Sequence, residues 1–231
     1  MNKTIAIITA RGGSKRIHRK NIKDFFGQPM IKYAIDAALK SKIFDTVMVS
    51  TDDEEIAEIS KKCGAEIPFM RSEETSNDFA TTNDVLIEVI KKYKEKDVIF
   101  DNICCIYPCV PLLKDDVLKD AYNTFINSNS DALMPVVKYS YPIQRALRIS
   151  NNNFLNYAYP ENKLKRSQDL ETMYHDVGMF YFIKASVFLK VKTLLPLKTS
   201  SFIMNELYVQ DIDTIDDWNI AELKYKLLQN Q

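Results

Sequence analysis

Short apolar runs rich in β-branched residues recur along the chain and predict buried strands. A run of about four to eight such residues without polar alternation is typical of a strand that is covered on both faces. The runs are Thr4 to Thr9, Thr46 to Ser50, Ile103 to Tyr107, Ala132 to Val137 and Gly178 to Ile183. A last strand is predicted from Phe202 to Val209.

Between these runs, apolar residues recur at the spacing of an amphipathic helix. The stretches contain Ile31, Ala34, Ile35 and Ala38, then Ile56 and Ile59, then Val85, Leu86, Val89, Ile90 and Tyr93, then Val117, Ala121 and Phe125. A final helix carries Ile215, Trp218, Ala221, Tyr225 and Leu228 on one face. Alternating strands and helices predict an α/β, Rossmann-like fold in which a mostly parallel sheet has helices on both faces.

The regular alternation stops near Lys138. Residues 139–176 carry many Tyr, Asn, Gln and Arg residues with weak periodicity. We therefore predict an α/β domain made of residues 1–138 and 177–231, with residues 139–176 inserted into it as an arm. Near the C-terminus, Thr214 is predicted to cap the final helix, and Asp217 three residues later completes a capping box.

Composition narrows the functional classes. The 231 residues include 31 basic and 31 acidic side chains, so no overall charge attracts nucleic acid or an anionic membrane. No apolar run approaches the roughly 20 residues of a membrane span, and the N-terminus lacks a secretory cleavage pattern. We expect a soluble cytoplasmic protein without nucleic-acid or membrane partners. The four cysteines form no CxxC pair, which favours reduced thiols over a zinc site.

The loop after the first strand is unusually basic. Residues 10–23 have no acidic side chain and hold Arg11, Lys15, Arg16, Arg19, Lys20 and Lys23. Gly12 and Gly13 allow the backbone to turn with positive φ and bring its N–H groups close to an anion. The loop follows a buried strand, so polyphosphate is the favoured ligand over a solvated basic loop or an RNA-binding patch. The loop matches neither the P-loop motif GxxxxGK[ST] nor the dinucleotide-binding motif GxGxxG.

Two carboxylates near the C-terminus are candidate metal ligands. Asp211 and Asp213 alternate along an extended segment, which points both side chains to one side. Such a pair suits Mg²⁺, which takes its other ligands from water and substrate phosphates. The alternative is that both only add negative charge at the start of the last helix. Taken alone, Arg71 fits a surface position and Asp78, Thr81 and Thr82 fit a helix cap.

Several motifs in sequence order resemble the sialic-acid-type cytidylyltransferases, the CMP-nonulosonate synthetases. The resemblance rests on ARGGSK at 10–15 with Lys20-Asn21, GQPMI at 27–31, VSTDDEEIA at 49–57, Arg71 with DFATT at 78–82, and DIDT at 211–214. It implies a nucleotide-diphospho-sugar transferase type of fold, and it implies CTP as the nucleotide.

The resemblance also implies roles for individual residues. Nucleotide-binding residues would be Ala10, Arg11, Gly12, Gly13, Ser14, Lys15, Lys20, Asn21, Arg71, Asp78 and Thr82. Catalytic residues would be Arg11, Lys15, Lys20, Asp211 and Asp213. Of these, Asp211 and Asp213 would bind Mg²⁺, while the basic residues would hold the triphosphate and stabilise the leaving pyrophosphate. Arg16, Arg19 and Lys23 receive no role.

YPIQRA at 141–146, RSQDL at 166–170 and YHDVGMFYF at 174–182 resemble the branch of the family that activates pseudaminic acid. The implied reaction transfers CMP from CTP to the anomeric hydroxyl of that sugar, for surface or flagellar glycosylation. The implied sugar-binding residues are Tyr107, Gln144, Arg145, Arg166, Gln168, His175 and Asp176. The arm would border the sugar pocket and form a homodimer.

One departure affects the sugar side of the pocket. The family's frequent Gln-Pro-Thr-Ser-Pro segment is replaced here by YPCVP at residues 107–111. The same reaction on legionaminic or N-acetylneuraminic acid is therefore an alternative. Two further alternatives are a nucleotidyltransferase that acts on a sugar 1-phosphate and a non-catalytic nucleotide- or RNA-binding module. The group that deprotonates the attacking hydroxyl stays open between Asp211, water and the substrate's own carboxylate.

Overall fold

The predicted alternation of strands and helices is present in the computed structural model, which describes residues 2–14 and 16–230. The helices are α1 Ile31–Ser41, α2 Glu54–Lys62, α3 Thr82–Lys94, α4 Asp115–Asn127, α5 Ala185–Val191 and α6 Ile215–Gln229. The strands are β1 Thr4–Thr9, β2 Asp24–Phe25, β3 Gln28–Pro29, β4 Thr46–Ser50, β5 Asn102–Ile106, β6 Ala132–Lys138, β7 Leu147–Ile149, β8 Leu155–Tyr157, β9 Tyr174–Asp176, β10 Phe180–Lys184 and β11 Thr199–Ile203.

The central sheet has seven strands in the order β11-β6-β10-β5-β1-β4, with β9 also paired to β6. Strand β1 is parallel to both β4 and β5, and β11 is parallel to β6. Strand β10 runs antiparallel to β5 and β6, and β9 runs antiparallel to β6. Five strands thus point one way and two oppose them, so the prediction of a mostly parallel sheet is confirmed.

The sheet has an apolar core on each face. Along β1, Ala6 and Ile8 face the core that holds Ile35 of α1, whereas Ile5 and Ile7 face the opposite core. The first core also contains residues of α4, and the second contains residues of α3 and α5. Because helices cover both faces, β1 and β5 read as continuous apolar runs.

The predicted last strand, Phe202 to Val209, is wrong in its position. Strand β11 begins earlier, at Thr199, and a short 3-10 helix occupies Glu206–Tyr208. The Asn205 side chain accepts a hydrogen bond from Leu207 N and so starts that helix. Strand β11 lies at the edge of the sheet and is only partly buried, which is why its hydrophobic signal is weak.

Residues 139–176 contain little regular structure. Strands β7 and β8 form a small hairpin of their own, whereas β9 joins the central sheet through β6. All three of these strands are exposed. The exposed apolar side chains of this segment include Tyr141, Ile149, Phe154, Leu155 and Leu164. Within the described residues, no helix combines the length and the apolarity needed to cross a membrane.

Candidate active site

A cleft of about 670 Å³ lies at the carboxyl ends of β1 and β5. This is the edge at which ligands bind in open parallel sheets. The cleft brings together ten of the residues that the sequence singles out: Arg11, Ser14, Lys20, Asn21, Arg71, Asp78, Thr82, Tyr107, Asp211 and Asp213. Ala10, Gly12 and Gly13 lie in the same loop without lining the cleft, and Lys15 lies outside the described residues.

Side-chain hydrogen bonds hold the basic loop in place. Gly12 N donates to Asp52 Oδ1 at 3.0 Å, and Asn21 Nδ2 donates to the carbonyl of Arg11 at 2.8 Å. The expectation of positive φ at Gly12 and Gly13 is wrong. The glycines with positive φ are Gly27, Gly64 and Gly178. A β-carbon at Gly12 would instead lie 2.7 Å from Asp53 Oδ2. The absence of a side chain therefore allows the loop to approach Asp53.

Arg19, which received no role from the sequence, anchors this loop to the end of β4. Its guanidinium binds both carboxylate oxygens of Asp53 and also contacts Glu55. Asp53 caps α2 by accepting a hydrogen bond from Ile56 N at 2.9 Å. The Arg19 hydrogen bond is the main reason that the pKa of Asp53 lies below its ordinary value. The sequence shows an acidic run after β4, but residue spacing does not pair that run with Arg19.

The two candidate metal ligands face the basic loop. Asp213 pairs with Arg16 at 2.6 Å and with Lys20 at 3.8 Å, and Lys20 Nζ also donates to the carbonyl of Ile212. Partial withdrawal from water and the neighbouring Asp213 carboxylate raise the pKa of Asp211. Positive and negative charges are thus collected in one cleft, on segments far apart in sequence.

The predicted capping box at the start of α6 is confirmed. Thr214 Oγ1 accepts from Asp217 N at 3.2 Å, and Asp217 Oδ2 accepts from Thr214 N at 2.7 Å. Asp217 Oδ2 also accepts from Asp213 N at 3.1 Å. The hydrogen bonds from Thr214 are the main reason that the pKa of Asp217 is lowered. The cap therefore fixes the backbone that carries Asp213.

The residues beyond β4 form the opposite wall of the cleft. Arg71 is not a surface arginine: its Nε donates to Ser50 Oγ at 3.1 Å, and burial lowers the pKa of its guanidinium. Asp78 forms an ion pair with Arg11 at 3.1 Å. The helix-cap interpretation of the neighbouring threonines is correct for Thr81, which caps α3, whereas Thr82 is the first helical residue and lines the cleft.

The sequence model of the cytidylyltransferase family matches residues 5–214. A pseudaminic acid cytidylyltransferase from Campylobacter jejuni subsp. jejuni serotype O:2 is 44% identical over 226 residues, which cover 97% of each chain. The chain belongs to the cytidylyltransferase family.

Two more distant matches are a sequence relative and a solved structure. A CMP-N,N'-diacetyllegionaminic acid synthase from Legionella pneumophila is 29% identical over 232 residues, which cover 97% of each chain. A CMP:2-keto-3-deoxy-manno-octonic acid synthetase, solved in complex with CTP, superposes with a TM-score of 0.71 at 18% identity. That superposition covers 99% of this chain and 100% of the other. It shows that the two proteins share a fold.

In this cytidylyltransferase, the YPCVP segment lies at the cleft. Tyr107 and Cys109 both line it, and the Cys109 thiol donates to Asn21 Oδ1 at 3.2 Å. Burial raises the pKa of Cys109 to about 12. None of the four cysteines, which all lie within the described residues, forms a disulfide, and Cys63 and Cys109 keep part of their surface exposed.

The other predicted sugar-binding residues, all of which the structure describes, do not line the cleft of their own chain. Gln144 donates to the carbonyl of Glu171, and Arg166 pairs with Asp169. Arg145 donates to the carbonyl of Lys165, Gln168 is exposed, and His175 Nδ1 contacts the carbonyl of Asp176. Asp176 accepts a hydrogen bond from Tyr181. Their assignment to the sugar stays a prediction.

Proposed function

We propose that the protein transfers CMP from CTP to the anomeric hydroxyl of pseudaminic acid, which gives CMP-pseudaminic acid and pyrophosphate. The observation that carries this proposal is the cleft in which the basic loop faces Asp211 and Asp213. A triphosphate and a metal ion need those two surfaces to be opposed. The Campylobacter jejuni relative supports the choice of sugar.

The basic loop would hold the triphosphate. Arg11 and Lys20 lie on one wall of the cleft and supply positive charge, and Ser14 adds a hydroxyl. Asn21 holds the loop through the carbonyl of Arg11 and would lie beside the nucleotide, while Arg71 and Thr82 line the part of the cleft proposed for cytidine. The transfer needs alignment and charge stabilisation of the leaving pyrophosphate, with no covalent enzyme intermediate.

Asp211 and Asp213 fit a divalent cation. Partial burial and then repulsion from Asp213 raise the pKa of Asp211, and a bound cation would relieve that repulsion. Within the part of the chain that the structure describes, no three or more acidic, histidine or cysteine side chains are placed so that together they could hold a metal ion, so water and phosphate oxygens would complete the shell. Mg²⁺ at this place would offset negative charge on the α-phosphate. Arg16 and Lys20 would exchange Asp213 for phosphate oxygens when the nucleotide enters.

The arm, residues 139–176, would form the interface of a homodimer. Several of its apolar side chains are exposed to a degree that is costly in water, with Tyr141 at 84% and Leu164 at 92%. A homodimer that covers this surface would bring the arm of one protomer toward the cleft of its partner. This arrangement would account for sugar-binding residues that do not reach the cleft of their own chain. We place the enzyme in the cytoplasm, where CTP is available and thiols stay reduced.

Asp213→Asn tests the metal role. We expect this variant to lose about 100-fold or more of its turnover of CTP with pseudaminic acid, because one ligand carboxylate is gone. Pyrophosphate release at increasing Mg²⁺ would measure the loss. Asp216→Asn is the matched control, since Asp216 is also near the start of α6 but does not line the cleft. Full activity in Asp213→Asn would indicate that Asp211 and Asp213 only add negative charge at the start of α6.

Legionaminic acid is the second candidate acceptor. The Legionella pneumophila relative supports it, but at 29% identity against 44% for the pseudaminic acid enzyme. The YPCVP segment at the cleft departs from the usual family pattern, so the acceptor side is where the two candidates would differ. Turnover of the legionaminic substrate in preference to pseudaminic acid would change the proposed sugar and leave the reaction type intact.

A further inference from the structure

A chain of polar contacts connects strand β9 with the cleft. Tyr181 Oη lies 2.9 Å and 2.8 Å from the two carboxylate oxygens of Asp176, to which it donates its proton. Gly178 N donates to Asp176 Oδ1 at 2.9 Å. Asp176 is exposed, whereas Tyr181 is 4% exposed. A surface carboxylate therefore holds one buried phenol and one turn of backbone at the same time.

Tyr181 carries this constraint to Tyr107. The two rings pack edge to face with their centroids 5.7 Å apart and their planes at 64°. The Tyr107 phenol is flanked by the hydroxyls of Thr82 and Tyr181. Burial, with Tyr107 and Asp176 nearby, keeps the pKa of Tyr181 far above its ordinary value. Tyr181 thus stays a neutral donor to Asp176, and its ring stays fixed against Tyr107.

Asp176 also fixes the backbone at Gly178, through the hydrogen bond from Gly178 N. Gly178 lines the cleft and has a φ of +63°, a conformation that side-chain-bearing residues rarely adopt. The position of a β-carbon at Gly178 would lie 4.0 Å from Asp211 Cγ. The turn held by Asp176 therefore adjoins one of the two carboxylates proposed to bind the metal ion.

We propose that Asp176 and Tyr181 are positioning residues for the acceptor side of the cleft, acting through Tyr107 and Gly178. The inference rests on the proposed function, since it assumes that an acidic sugar binds beside Asp211. It changes the role of Asp176: instead of binding the sugar, its carboxylate holds the wall that contacts the sugar. The triphosphate contacts lie on the basic loop, so we expect the KM for the sugar to change more than the KM for CTP.

Tyr181→Phe is the decisive variant because it keeps the ring against Tyr107 and removes only the hydroxyl. We expect the KM for the sugar to rise about tenfold, equivalent to ~1.4 kcal/mol, as the hydrogen bond to a carboxylate is lost. The KM for CTP should stay within about twofold of wild type. Tyr93→Phe is the control: Tyr93 is a buried phenol away from the cleft, and its hydroxyl has no partner among the described residues.

Asp176 supplies a second, independent pair of variants. Asp176→Asn keeps an oxygen that can accept from Tyr181 and Gly178, so it should restore most of the sugar KM that Asp176→Ala loses. If Tyr181→Phe and Asp176→Ala both keep the wild-type sugar KM, or if the KM values for CTP and sugar rise equally, the inference is wrong.

The assay uses whichever nonulosonic acid the wild-type enzyme turns over. A preference for another acid would correct the proposed function without deciding the role of Tyr181. A normal wild-type reaction with unchanged variants would overturn only the positioning role. The two proposals therefore fail in different ways.

Discussion

At the scale of single residues, Gly12 lies directly against the Asp53 side chain. A β-carbon at Gly12 would lie 2.7 Å from Asp53 Oδ2, whereas one at Gly13 meets no described atom within 4 Å. Asp53 cannot move away easily, because it caps α2 and binds Arg19. We expect Gly12→Ala to raise the KM for CTP by roughly 10- to 100-fold and Gly13→Ala to stay near wild type. Equal effects in steady-state kinetics would show that the approach to Asp53 is unimportant.

The ion pair between Arg19 and Asp53 predicts a dependence of stability on pH. The pKa of Asp53 is lowered in the folded state, so its contribution is fully present above the unfolded pKa and is lost as pH falls through the folded pKa. Asp53→Asn removes the charge and keeps an N-cap acceptor. We expect it to lower the free energy of unfolding by about 1–2 kcal/mol at neutral pH.

Urea denaturation over a range of pH measures this effect. The difference between wild type and Asp53→Asn should shrink as the pH falls below about 4, where the unfolded carboxyl becomes protonated. Asp53→Ala, which also removes the cap, should be less stable than Asp53→Asn at every pH. A difference that stays constant down to acidic pH would contradict the role of the charge.

At the scale of elements, the sequence predicted the buried strands well and the half-exposed strand β11 poorly. Strands β1 and β4 were predicted to the residue, because burial on both faces requires unbroken apolar runs. Strand β11 was misplaced, because an edge strand that is half exposed has a weak pattern. The short helix α5 was missed for a related reason: it has only seven residues and two buried side chains. The capping box of α6 was found, because it is local in sequence.

The arm offers a prediction at this scale. Ile149 of β7 and Leu155 of β8 are cross-strand partners and are 70% and 64% exposed. If the arm forms the proposed dimer, Ile149→Asp should convert the protein to a monomer, because a charge in an apolar interface is costly. Leu197→Asp is the control, since Leu197 is fully exposed outside the arm. Sedimentation velocity would show a monomeric wild type, or a dimeric Ile149→Asp variant, if this proposal is wrong.

At the scale of the whole molecule, the site was partly predictable from sequence. The rule that ligands bind at the carboxyl ends of parallel strands placed the basic loop, and the family resemblance supplied Arg71, Asp78 and Thr82. The contacts that hold the site were not predictable. The Arg19 ion pair and the Asp176 hydrogen bond each depend on side-chain directions that residue spacing does not define.

The central claim is that this cleft joins CMP to pseudaminic acid. A competition assay tests it most directly: equal concentrations of pseudaminic, N,N'-diacetyllegionaminic and N-acetylneuraminic acid are mixed with CTP, Mg²⁺ and the wild-type protein. We predict that CMP-pseudaminic acid will exceed the other products by about tenfold or more, with one pyrophosphate released for each CMP-sugar. Preferential formation of another CMP-sugar, or consumption of CTP without any CMP-sugar, would contradict the account.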